Sequence, residues 1–142
     1  MNFKEKTSKQ IKSWYLNKKS ESKKNPFEVE FTFEEFEIWY KNQPKVCHYC
    51  GLTEIEQFDL IHRGILTSNR FFTKKNGKRG MYLEIDRKNP TGNYSEENSV
   101  FCCYFCNNDK SDIFSESQYK SFNDTEGKNH RVSFLRSLLW NR

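Results

Sequence analysis

Two pairs of cysteines carry the first chemical signal: Cys47-His48-Tyr49-Cys50 and Cys103-Tyr104-Phe105-Cys106. Each is a C-x-x-C knuckle, a spacing that lets both sulfurs turn towards one ion. Four thiolates make a closed, tetrahedral site of the kind that holds structural zinc, with bonds of about 2.3 Å. Fifty-two residues separate the knuckles, so a sub-domain is inserted between them. A zinc held by Cys47, Cys50, Cys103 and Cys106 has no open position, so it serves the fold and any reaction lies elsewhere. Cys102 reads either as an alternative ligand in a C-x-x-x-C arrangement or as a small buried hydrophobe. His48, inside the first knuckle, reads as a surface residue, because four cysteines already complete the site.

The elements that must position these ligands are legible in outline. Residues 4–24 read as a basic helix or arm with Ile11, Trp14, Tyr15 and Leu16 as an apolar face, stopped by Pro26. Residues 28–31 are a short strand or an extended lead-in. Thr32 with Glu35 and Thr53 with Glu56 are capping signals, which predict helices over 33–42 and 54–66. Residues 67–80 are a basic loop. Alternation over 81–86 predicts a strand, Pro90, Gly92 and Asn93 a turn, and 99–103 the returning strand. A helix starts near Cys106 and runs to about Ser111, Ser115 with Gln118 caps another, and 128–140 forms a last helix on Val132, Leu135, Leu138 and Leu139.

Strand, turn, strand, knuckle and helix thus follow one another, and the residues along them have a pattern. Leu83-Glu84-Ile85-Asp86-Arg87, then Asn98, then Cys103-x-x-Cys106-Asn107-Asn108-x-Lys110, resembles the HNH (ββα-metal) endonuclease family. The common form of that family reads Asp-His, a central Asn, and Cys-x-x-Cys-Asn-x-x-Lys. The resemblance spans residues 31–114. It is strongest to the subgroup with Asp-Arg in place of Asp-His, which includes the rare-cutting PacI-type restriction enzymes. That subgroup also shares Phe31-Thr32…Trp39-Tyr40 and Cys106-Asn107…Lys110-Ser111…Ile113-Phe114-Ser115, whereas its second, N-terminal zinc site has no counterpart here. The resemblance implies an α+β fold: a small ββα-metal core stapled by the four-cysteine zinc site, with flanking helices at both ends. Residues 1–30 would form a basic N-terminal arm or helix, and 31–142 the nuclease domain. It further implies Asp86 and Asn107 as ligands of a catalytic Mg²⁺ or Mn²⁺, for which carboxylate and amide oxygens are suitably hard, and Asn98 as the residue that orients the hairpin loop.

The histidine that follows the Asp in the family is the base that activates water. Arg87 stands there instead and keeps its proton at any ordinary pH, so it suits a phosphate clamp. Tyr40, on the shared aromatic helix, is the first replacement as base or nucleophile. His62 and His48 have better pKa values for the task but lie in no matched motif. A chain without any base would bind nucleic acid and not cut it.

Composition agrees with a nucleic-acid partner. The chain has 142 residues, 30% of them charged, a net charge of +5 and no alanine; 13 Phe, 7 Tyr and 3 Trp carry much of its apolar mass. A mean hydropathy of −0.98 makes a staple valuable to so polar a domain. Residues 1–25 hold eight Lys against two Glu, and 69–80 are basic with no acid. Lys12, Lys18, Lys19, Lys74, Lys75, Lys78, Arg79 and Lys110 are the candidate phosphate contacts. The function expected is a metal-dependent endonuclease on double-stranded DNA, acting as a homodimer, with a cognate methyltransferase if its role is restriction. The alternative is a non-catalytic, zinc-dependent DNA- or RNA-binding module. No apolar run has membrane length and no secretory leader is visible, which places the chain in a reducing cytoplasm, where clustered cysteines bind metal.

Overall fold

The computed structural model describes residues 2–66, 79–123 and 130–140. Among the described residues six helices and one hairpin follow in order: α1 (Ser8–Glu21), α2 (Phe33–Asn42), α3 (Glu54–His62), β1 (Glu84–Arg87), β2 (Ser99–Cys102), α4 (Tyr104–Lys110), α5 (Glu116–Asn123) and α6 (His130–Trp140). The α+β architecture is the expected one, with β1, β2 and α4 forming the ββα unit.

Side-chain caps start the helices. Thr7, Thr32 and Thr53 each accept a hydrogen bond from a backbone N–H three residues on, and at Thr7 and Thr53 the reciprocal half of the box, from Gln10 and Glu56, is also present. The α3 helix is shorter than its periodicity predicts. Arg63 caps it and Gly64 follows at φ +69°, a left-handed turn that glycine adopts without strain. The α4 helix begins two residues earlier than expected because Cys103 is itself the N-cap, its sulfur accepting from the Cys106 N–H.

β1 and β2 pair antiparallel with Glu84 opposite Cys102, Ile85 opposite Phe101, Asp86 opposite Val100 and Arg87 opposite Ser99. Alternation puts Glu84, Asp86, Val100 and Cys102 on one face and Ile85, Arg87, Ser99 and Phe101 on the other. The second face meets the aromatic wall of α2: Trp39 and Tyr40 pack on Phe101 with ring centroids 5.2 and 4.8 Å apart. Behind them Phe36 stacks on Trp14 of α1 at 5.0 Å. The first face meets α4.

The N-terminal helix belongs to this core. Ile11 and Tyr15 are buried, and the Tyr15 hydroxyl donates to the Phe31 carbonyl at 2.8 Å, while Leu16 is exposed. The extended segment that follows pairs with the hairpin loop through a parallel bridge between Val29 and Tyr94. Gln57, fully buried on α3, closes the arrangement. Its amide donates to the carbonyls of Gly80 and Tyr82 and accepts from the Tyr104 N–H, so one side chain ties α3 to the approach of β1 and to the start of α4. A buried amide with all three bonds made stabilises; with any missing, it would cost the desolvation of the orphaned group.

Candidate active site and zinc centre

The first knuckle is a tight loop: the Cys47 N–H donates to Leu52 O, the Gly51 N–H to Cys47 O, and Gly51 takes φ +82°. The second is the first turn of α4. Together they bring the four sulfurs of Cys47, Cys50, Cys103 and Cys106 within 4.8 Å of one another. A tetrahedral ion with bonds of about 2.3 Å separates its ligands by about 3.8 Å, and Cys50 and Cys103 stand 3.8 Å apart. The cluster fits zinc. Arg131 of α6 places Nη1 3.2 Å from the Cys106 sulfur and pairs with Asp109 at 2.8 Å, so it can offset the negative charge of a thiolate-bound ion. Cys102 is wholly buried and lies outside the cluster.

From the zinc centre α4 runs across the first face of the hairpin. Asn107 donates its amide N–H to the Glu84 carboxylate. One turn on, Lys110 lies fully buried with its ammonium 3.3 and 3.1 Å from Asp86 Oδ1 and Oδ2, and it also donates to Arg87 O at 3.0 Å. The Tyr49 hydroxyl, from inside the first knuckle, donates to Asp86 Oδ2 at 2.6 Å. The Asp86 carboxyl is raised above its ordinary value: burial pushes it up, and the Tyr49 hydrogen bond and the Lys110 charge offset only part of that. Burial, with the Asp86 hydrogen bond and charge behind it, pushes the Tyr49 phenol well up. The oxygens gathered here (two carboxylates, and an amide oxygen left free because its nitrogen is bonded to Glu84) are a hard donor set. Oxygens of this kind are what a hard divalent cation takes as ligands.

No family model and no curated protein matches the sequence. A solved structure does match: the rare-cutting HNH restriction endonuclease PacI, in a study of how that enzyme perturbs DNA, superposes with a TM-score of 0.63 at 25% identity over 94% of this chain and 84% of its own. The fold is HNH-like.

Within this HNH-like fold the other residues singled out in the sequence are scattered. Arg87 leaves the hairpin on the face opposite Asp86. Its guanidinium lies 4.9 Å over Phe27 and 5.2 Å over Tyr94, donates to Gly92 O at 2.9 Å and stands 3.7 Å from the Asp112 carboxylate. Asn98 pins the loop by accepting from the Asn89 N–H and donating to the carbonyls of Asn89 and Asn93. Tyr40 is not brought to Asp86. It belongs to the aromatic core behind Phe101, its hydroxyl is buried with no hydrogen-bond partner among the described residues, and burial pushes its pKa well up. Tyr49 reaches Asp86 instead. Sequence reasoning passed over it because it sat between two zinc ligands. His48 pairs with Glu116 at 2.5 Å and His62 stacks on Phe58.

The expected phosphate contacts divide in the same way. Lys110 is corrected: a side chain with no exposure, paired to Asp86, cannot reach DNA. Arg79 is held by Glu84 at 2.9 Å and packs on Tyr104 at 4.9 Å. Lys12 and Lys19 are exposed on α1, and Lys18 lies over Trp14 and Tyr94. Lys74, Lys75 and Lys78 lie outside the described residues. No helix among the described residues is long and apolar enough to cross a membrane.

Proposed function

We propose that the chain is an HNH-type endonuclease that hydrolyses phosphodiester bonds in double-stranded DNA. The observation that carries this reading is the docking of α4 on β1, which sets Asn107 and Asp86 on one face of a zinc-stapled hairpin. The whole-chain likeness to PacI supports it. Cys47, Cys50, Cys103 and Cys106 hold structural zinc. Asp86 and Asn107 hold Mg²⁺ or Mn²⁺, which when bound supplies Lewis-acid stabilisation of the charge that develops at the scissile phosphate.

The chain's own residues do the rest. Lys110 supplies the counter-charge to the buried Asp86 carboxylate. Tyr49, which retains its proton, stands at the Asp86 carboxylate and is suited to passing that proton to the departing oxygen; this is an acid's part, not the base's or nucleophile's part expected of Tyr40, and the attacking water gives its proton to bulk water. Arg87 and Lys18 both lie against the Tyr94 ring and offer a positive edge to a phosphate, with Lys12 and Lys19 extending it along α1. Two copies related by a two-fold axis would cut both strands of a palindromic site, and a restriction role would require a cognate methyltransferase.

One observation favours a second reading, a non-catalytic zinc-dependent nucleic-acid-binding module: the Lys110 ammonium already engages both oxygens of Asp86. Incubation of plasmid with Mg²⁺ or Mn²⁺, with and without chelator, separates the two. Cleavage that the chelator abolishes is the result expected; DNA retained but never cut by wild-type protein would favour the binding module.

A further inference from the structure

One interaction on the hairpin face is used by none of the roles assigned so far. Glu84 accepts from Asn107 Nδ2, and Arg79 Nη2 grips the same carboxylate at 2.9 Å from Oε1 and 3.2 Å from Oε2. Glu84 stands two residues before Asp86 on β1 and therefore shares its face, just as Asn107 and Lys110, three apart on α4, share theirs. An asparagine amide has a single atom able to ligate a hard cation, Oδ1, while Nδ2 only donates. With no partner, the two orientations of such an amide differ little. A carboxylate beside Nδ2 decides between them.

We propose that Glu84 is a positioning residue for the catalytic cation. By accepting from Nδ2 it fixes the Asn107 amide with Oδ1 as the free donor, and Arg79 holds the Glu84 carboxylate in place and supplies its counter-charge. This inference rests on the nuclease reading and names how that site selects its cation-binding geometry. It gives Arg79 a part in the active site in place of a contact to DNA.

The test uses the full, zinc-loaded chain and two readouts: Mn²⁺ affinity by electron paramagnetic resonance without DNA, and single-turnover cleavage. Glu84→Gln keeps an acceptor carbonyl with two lone pairs and should bind Mn²⁺ as wild type does. Glu84→Ala and Glu84→Leu, which offer no acceptor, should weaken Mn²⁺ about ten- to a hundredfold, the usual effect of losing a partner of a metal ligand, with zinc content unchanged. Asn107→Asp presents an oxygen in either orientation, so adding it to Glu84→Leu should restore the affinity. Wild-type affinity in Glu84→Ala would overturn the inference. So would a Glu84→Gln protein as weak as Glu84→Ala, since charge and not the acceptor would then matter, or a failure of Asn107→Asp to rescue. If the wild-type protein binds Mn²⁺ no better than Asp86→Asn and leaves DNA intact, the nuclease reading itself fails and this inference falls with it.

Discussion

Tyr40 and Tyr49 stand nine positions apart, and their hydroxyls meet opposite fates. One has no partner among the described residues of an aromatic core; the other bonds a buried carboxylate. Tyr40→Phe removes an unsatisfied buried oxygen, so it should stabilise the fold by about 1 kcal/mol in denaturant titration and leave cleavage unchanged. Tyr49→Phe removes the proton at Asp86 and should slow single-turnover cleavage about a hundredfold or more. Equal rates for the two variants would remove Tyr49 from the chemistry. Arg87→Lys should also cut poorly, because an ammonium reproduces neither the ring stacking on Phe27 and Tyr94 nor the two-pronged grip on phosphate.

At the scale of elements, β1 and α4 meet as a matched pair of ladders. Residues two apart on the strand, Glu84 and Asp86, meet residues three apart on the helix, Asn107 and Lys110. The second rung is a buried ion pair, with side-chain exposures of 0% for Lys110 and 8% for Asp86. Removing one partner of such a pair leaves a stranded charge and costs about 3 kcal/mol or more, whereas removing both costs much less. Lys110→Met should therefore destabilise strongly in urea unfolding, and Lys110→Met with Asp86→Asn should recover most of the loss. A double-mutant cycle with no coupling would mean that the two groups do not share a buried pair. Asp86→Asn and Asp86→Ala both strand the Lys110 ammonium, but only Asn keeps an oxygen that can accept from it.

For the whole molecule, the zinc centre and α1 close the fold around the hairpin. Purified protein should carry close to one zinc per chain, and stripping it or replacing Cys106 with Ser should abolish cooperative unfolding, because metal binding of this kind is folding free energy. Well-folded protein without zinc would refute this. Deleting residues 1–24 is not a neutral test of DNA binding, since Ile11 and Tyr15 are core residues. The charge-only change of Lys12, Lys18 and Lys19 to Gln keeps the core. It should lower the slope of log affinity against log salt by up to about 2.7, roughly 0.9 for each phosphate that is no longer neutralised. A slope equal to that of wild type would make these lysines a solvated face.

The sequence by itself determined what local rules govern: caps at Thr32 and Thr53, the strand–turn–strand around Asp86, and two knuckles whose spacing commits four sulfurs to one ion. It also carried the order of Asp86, Asn98, Cys103, Cys106 and Asn107 from which an HNH-like fold was expected, and that fold is the one found. Side-chain partners across elements were not legible in the same way, because they depend on register and on which face another element covers. Strand alternation alone would have grouped Glu84 with Asp86, and helical spacing Asn107 with Lys110, yet neither period says that the two pairs meet. Only the docking of α4 on β1 decided that Lys110 is a buried counter-ion, and only the packing of α2 beneath Phe101 decided that Tyr40 is core. The clustering of the four cysteines brings the first knuckle to the start of α4, and with it comes Tyr49, whose hydroxyl reaches Asp86 through a closure that no local window of the chain contains.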